Sequence, residues 1–230
     1  MKIHGLQKMT LLDYPGKVAC TVFFGGCDMR CPFCHNAELL DGSAPAVMDD
    51  EDLLEFLKKR KGLLDGVAIT GGEPLLQKDL PDLAARIREI GYPVKLDTNG
   101  THPDRLSRMI RSGLVQYVAM DIKNSPERYA QTAGLEKLDL GPIRESAALL
   151  MEGRTEYEFR TTAVAELHDD ESFEKIASWI SGAAHYYIQK FTDRDTVPFE
   201  GFHSPTEEQM RRWKEIVLPC VPSAELRGVN

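Results

Sequence analysis

The sequence predicts an α/β fold built on a parallel sheet, and three observations carry that prediction. Six short runs rich in β-branched and aromatic residues occur along the chain. Segments of helical period lie between them. No internal repeat, low-complexity tract or long linker breaks the alternation. Strand and helix in alternation read as βαβ units, which leaves an open doubly wound sheet or a partial barrel, six units being too few for the eight of a closed (β/α)8 barrel. Either arrangement places chemistry at the C-terminal ends of the strands.

In order, the strands are expected at "KVACTVFF" (17–24), "GVAIT" (66–70), "PVKLD" (93–97), "VQYVAMDIK" (115–123), "YEFRTTAV" (157–164) and "YYIQKF" (186–191). Between the second and third, "DLPDLAARIREIG" sets Leu80, Leu83, Ala84, Ile87 and Ile90 on one helical face, and Gly91 is placed to end that helix. Near the C-terminus, Ser204, Pro205 and Glu207 read as a capping box with proline at the first helical position.

Composition bounds the function. The 230 residues, 42% of them hydrophobic, suffice for one core, so a single domain over 1–230 is expected. No apolar run approaches the ~18 residues of a membrane span. The start, "MKIHGLQKMTLLDYPGK", lacks the pattern of a signal peptide. A cytoplasmic protein without membrane attachment is the expectation. With 28 basic and 36 acidic residues the net charge is -8, which argues against nucleic-acid binding through phosphate neutralisation.

Three of the five cysteines, Cys27, Cys31 and Cys34, fall within "FFGGCDMRCPFCHN" in the loop after the first strand. Such crowding reads as metal ligation rather than a disulfide framework. Three thiolates suit a 4Fe-4S cluster whose fourth iron stays open. A structural zinc site would need a fourth ligand, for which His35 is the neighbouring candidate. Cys20 is expected to point from its strand into the core, and Cys220 lies far away in sequence.

The spacing in "CDMRCPFC" resembles the signature of the radical S-adenosylmethionine (radical SAM) superfamily. That resemblance implies a partial (β/α)6 barrel holding one 4Fe-4S cluster on Cys27, Cys31 and Cys34, with SAM on the open iron. It implies no catalytic side chain beyond the cluster and SAM, which generate a 5'-deoxyadenosyl radical. Phe33 would lie near the adenine. "TGGEP" (70–74) resembles the element that receives the methionyl amino group, implying roles for Gly71, Gly72 and Glu73.

"LDTNG" (96–100) and "MDIKN" (120–124) resemble elements of glycyl-radical-enzyme activating enzymes. By that resemblance Asp97, Thr98 and Asp121 hold a monovalent cation against the SAM carboxylate, and Lys123 contacts SAM. Arg160 resembles an arginine that approaches SAM; read without the family, it is an inward ion-pair partner. Gln189 and Phe191 are implied on the adenine side.

"LLDYPGK" is similar to the segment of these activators that meets the partner's glycine loop. Asp13 is therefore a candidate docking residue within an N-terminal substrate-facing segment (1–17), ahead of the barrel (18–230). Asp-Tyr-Pro-Gly is also good turn chemistry. Tyr14 stands where pyruvate formate-lyase activators carry a glycine, which leans the similarity toward activators of anaerobic ribonucleoside-triphosphate reductase.

Too few cysteines remain for auxiliary clusters, so the reducing electron is expected from an external flavodoxin or ferredoxin. A second reading keeps the radical chemistry on a small molecule, as in 7-carboxy-7-deazaguanine synthases. A third, non-enzymatic reading is a zinc-stabilised binding module.

Overall fold

A computed structural model describes residues 1–229. Its strands and helices are β1 (Lys2–Ile3), β2 (Gly5–Thr10), β3 (Ala19–Phe24), β4 (Met48–Asp49), α1 (Asp50–Lys59), β5 (Gly66–Gly71), α2 (Leu80–Ile90), β6 (Val94–Thr98), α3 (Pro103–Arg111), β7 (Tyr117–Asp121), α4 (Tyr129–Thr132), α5 (Gly141–Met151), β8 (Glu156–Ala163), α6 (Asp170–Trp179), β9 (Tyr186–Lys190), α7 (Glu207–Val217) and β10 (Ala224–Arg227). All six expected strands form, as β3 and β5 to β9.

The main sheet runs β10-β9-β8-β7-β6-β5-β3-β2. Every pairing in it is parallel except β2 with β3. The strand order never reverses along the chain, whereas a doubly wound sheet must reverse at its switch point. This selects the partial barrel. Its end strands, β2 and β10, pair with each other nowhere among the described residues, so the barrel is open along one side.

The pleat sorts the side chains by polarity. Cys20, Val22, Phe24, Val67, Ile69, Leu96, Val118, Met120, Phe159 and Ile188 are fully buried in the main core, on the face packed by the helices. Residues one step along the strands, such as Thr21, Lys95, Asp97, Asp121, Glu158 and Arg160, share the other face, because successive residues of a strand point to opposite sides. The barrel lumen is therefore polar and its outer shell apolar.

Two strands of the main sheet were missed in the sequence, as was the short separate pair β1 and β4. The chain's first segment contributes β2 to the sheet itself, so residues 1–17 are no appendage ahead of the barrel. Both β2 ("GLQKMT") and β10 ("AELR") are edge strands, short and half exposed, with too few apolar residues to signal a buried strand.

The last helix starts two residues later than expected: its capping box joins Thr206 and Gln209. Ser204 instead donates its hydroxyl to the Phe191 carbonyl at 2.6 Å. The turn of the N-terminal segment is also shifted by one residue, since Lys17 donates its backbone N–H to Tyr14 at 3.1 Å across Pro15 and Gly16. Tyr14 is thereby buried against Tyr117 at the N-terminal ends of the strands. Gly91 ends α2 in the left-handed conformation, as its place in the sequence implied.

β10 is tied to the barrel by charge. Arg227 donates to both oxygens of buried Glu158, at 2.7 and 2.8 Å, and Tyr117 donates to the same carboxylate at 2.8 Å. Replacing Arg227 by Met leaves a buried carboxylate short of its counter-charge, so Arg227→Met is expected to lower unfolding free energy by about 3 kcal/mol. Urea titration of the two proteins measures it.

Candidate active site

The cysteine loop leaves β3 and is fixed from below by the loop after β5. Gly72 donates its N–H to the Phe24 carbonyl at 2.9 Å, and Glu73 to the Gly26 carbonyl at 2.8 Å. A Cβ at Gly71 would overlap the backbone of Phe24, and one at Gly72 that of Gly26. These glycines thus let two backbones touch, which adds a structural reason to the ligand-approach reason read from sequence. Asn36, just past the last cysteine, closes the arrangement by donating to the Gly71 carbonyl at 3.1 Å.

Cys27, Cys31 and Cys34 are free thiols that line one cavity of about 420 Å³ at the C-terminal ends of the strands. Burial pushes all three thiols up, Cys27 to about 12. Such groups become thiolates only with a cation among them. The Met29 N–H lies 3.4 Å from the Cys27 sulfur and the Asn99 amide 3.8 Å from it. His35 does not complete a zinc site here: its Nε2 lies 2.7 Å from the Thr192 carbonyl, and its ring stacks on Phe191 at 5.5 Å. A tricysteine donor set beside an open cavity fits a 4Fe-4S cluster with one iron left for SAM. Cys20 is fully buried on the far side of β3, facing the helices.

The same cavity is lined by Phe33, Gly71, Gly72, Asp97, Thr98, Asp121, Lys123, Arg160, Gln189 and Asp13, so the structure brings the sequence candidates together. Phe33 meets Phe191 edge-on at 6.2 Å. Phe191 itself is fully buried behind it. Asp13 is not an exposed residue of the rim: it accepts a hydrogen bond from Thr21 at 2.5 Å and sits on the cavity wall beside Gln7.

Glu73 also lies off the cavity wall. Glu73 is fully buried; Oε1 accepts from the Leu75 N–H at 3.0 Å and the Thr98 hydroxyl at 2.9 Å, and Oε2 from the Asn99 N–H at 2.7 Å. The carboxylate is therefore occupied by three internal donors and does not face the cavity as the sequence reading expected. Burial raises its pKa to about 7, against the pull of those three donors. The strand-end backbone of Thr70 to Gly72 is what this loop offers to an ammonium.

The electrostatic centre of the cavity joins three strands. Asp97 on β6 pairs with Lys95 and, at 3.2 Å, with Arg160 on β8. Asp121 on β7 pairs with Arg160 at 2.5 Å and Lys123 at 2.6 Å. Burial opposes ionisation of both carboxylates, but the adjacent cations hold their pKa values low. A bound monovalent metal does not fit this donor set. Thr98 turns its hydroxyl to Glu73, and all four carboxylate oxygens already face a cationic donor.

Two further residues were missed in the sequence. Asp28 accepts from Asn99 at 2.7 Å and Thr101 at 2.5 Å, and lies 3.2 Å from His102 Nε2. It thereby ties the cysteine loop to the loop after β6. Asn99 serves both loops, and its only sequence signal was its place in "LDTNG".

The contact with Asp28 raises the His102 pKa above 6.5. Burial would raise Asp28, yet contacts with His102, Thr101 and Asn99 hold it at about 2. The folded state thus holds the histidine proton more tightly, a contribution complete below pH 6.5 and lost as pH rises through the raised value. The carboxylate's contribution is complete above 3.8 and lost as pH falls toward 2. The Tm difference between wild type and His102→Ala should accordingly be widest from about pH 4 to 6.5 and shrink in alkaline buffer.

The profile of the Radical SAM superfamily matches residues 21–180. A Methanocaldococcus jannaschii protein provisionally named glycyl-radical enzyme activating enzyme is 30% identical over 99% of this chain and 96% of its own length. The pyruvate formate-lyase-activating enzyme of Listeria monocytogenes is 26% identical over 94% of this chain and 86% of its own. Streptococcus suis SuiB, solved bound to its precursor peptide SuiA, superposes with a TM-score of 0.71 at 15% identity, covering 90% of this chain and 48% of SuiB. That likeness concerns the fold. With its three free cysteines at the mouth of a polar partial barrel, the chain belongs to the radical SAM superfamily, and within it to the glycyl-radical-enzyme activating enzymes.

Proposed function

We propose that this enzyme activates an anaerobic ribonucleotide reductase, taking a hydrogen atom from a glycine Cα of that partner. The observation that carries the reading is a single cavity that holds the three cysteines and, on its wall, Asp13 and Gln7 of the N-terminal segment. The segment that by resemblance meets the glycine loop thus borders the same space as the cluster ligands. Tyr14, which inclines the reading toward the reductase, is buried at the N-terminal ends of the strands.

When bound, the cluster and SAM supply a reactive adenosyl radical; the chain's part is to bind, orient and exclude water. Cys27, Cys31 and Cys34 would hold the cluster. Lys123 and Arg160 on the cavity wall suit the carboxylate of SAM, and backbone carbonyls of the loop after β5 suit its ammonium. Phe33 and Gln189 line the remaining wall, where the adenine would lie. The barrel's open side gives a glycine loop a route inward. The electron is assigned to an external flavodoxin or ferredoxin, because Cys20 and Cys220 are the only cysteines outside the ligand set.

Anaerobically reconstituted protein should hold about four iron and four sulfide. Cys27→Ala, Cys31→Ala and Cys34→Ala should each abolish that content, while Cys20→Ala and Cys220→Ala keep it. Stoichiometric zinc without sulfide would refute the site.

The partner is tested by mixing reduced enzyme, SAM and the reductase and recording the glycyl EPR doublet. Asp13→Ala should slow its appearance at least about tenfold more than it slows SAM cleavage without partner. Equal loss of both would make Asp13 a structural residue. Turnover of a small heterocycle, with no protein radical, would assign the activity to the small-molecule class instead.

A further inference from the structure

The resemblance to activating enzymes implies a monovalent metal ion at Asp97, Thr98 and Asp121, and these residues do not form such a site here. Thr98 is 3% exposed and gives its hydroxyl to Glu73. Asp97 and Asp121 are bridged by the Arg160 guanidinium, and each has a lysine on its remaining oxygen.

Lys95 is the unusual member of this set. It lies two residues before Asp97 on β6, so both side chains share the lumen face. Its side chain is 3% exposed, and among the described residues its only ion pair is to Asp97. A lysine ammonium buried so fully requires a counter-charge, and Asp97 supplies it. The ammonium is a compact point charge, unlike the broad guanidinium beside it. Lys95 does not itself line the cavity: it sits behind Asp97, while Asp97, Asp121, Lys123 and Arg160 are on the cavity wall. A metal ion would add a further positive charge among groups that are already paired.

We infer that Lys95 is the resident cation of this enzyme, taking the place of the alkali metal ion, so that SAM binding needs no potassium or sodium. The inference rests on the reading of the cavity as the SAM site. Lys95 acts here as a positioning residue: it neutralises Asp97, which keeps Arg160 and Lys123 directed at the incoming carboxylate.

The test is SAM binding by equilibrium dialysis to cluster-reconstituted protein, in choline, potassium or sodium chloride of equal ionic strength. Wild type should bind SAM with the same affinity, within about twofold, in all three salts. Lys95→Met should bind at least about tenfold more weakly in choline and recover affinity in potassium or sodium. A saturable tightening of wild-type binding by either metal ion would overturn the inference, and this arm stands even if Lys95→Met fails to fold. Unimpaired binding by Lys95→Met in choline would overturn it too.

Thermal melting of the apoprotein gives a readout independent of SAM. Wild-type Tm should be the same in the three salts, and Lys95→Met should melt lower in choline than in potassium. If the variant's Tm is equally depressed in every salt, Lys95 is only structural and the inference fails. Absence of SAM binding in every salt, with iron content intact, would instead sink the reading of the cavity.

Discussion

The site depends on one buried carboxylate. Glu73 donates its backbone N–H to the cysteine loop and accepts, through its side chain, from Thr98 and Asn99 at the end of β6. Three loops that leave different strands are thereby held in one geometry by a single residue. Asn99, so placed, reaches both Cys27 and Asp28. A carboxylate with three internal donors is an expensive group to bury and an inflexible one once buried. Its rigidity suits a loop whose three sulfurs must meet one cluster.

The second constraint is the polarity of the lumen. A closed eight-stranded barrel fills its interior with apolar layers, whereas this partial barrel turns charged residues inward. Charges so enclosed must pair, and they do so across strands, Asp97 with Arg160 and Asp121 with Arg160 in the upper part and Glu158 with Arg227 lower down. The pairs therefore join β6, β7, β8 and β10 from the inside, while the helices cover them from the outside. In the upper layer the residues that pair across strands also line the cavity, so a substitution there alters the cavity wall as well as the fold.

Much of this was legible in the sequence. Cysteine spacing marks the ligands because three thiols in one loop have few structural uses, and alternation of strands and helices marks the parallel sheet. The orientation of Glu73 was not legible. A glutamate after two glycines reads as a ligand-facing group unless the donors of Thr98 and Asn99, some 25 residues onward, are known to converge on it. Lys95 was closer to view: the two-residue period of a strand sets it beside Asp97, but a lone lysine in "PVKLD" gives no sign that it is buried. β2 and β10 escaped notice because edge strands need little apolar patterning.

The unreversed strand order has a consequence for how the molecule is made. Each strand of the main sheet pairs with the strand made just before it, the short β4 aside, so sheet growth can follow synthesis. By the time Thr101 has been added, the chain contains the three cysteines and several of the groups that anchor their loop, namely Glu73, Asn99 and Thr101 itself, although Ala133, whose carbonyl accepts from the Arg30 N–H, comes later. Arg160 and Gln189, which line the same cavity, are still to come. Most of the cysteine side of the cavity is thus encoded ahead of the opposite wall, giving assembly a direction from the metal ligands to the rest of the cavity.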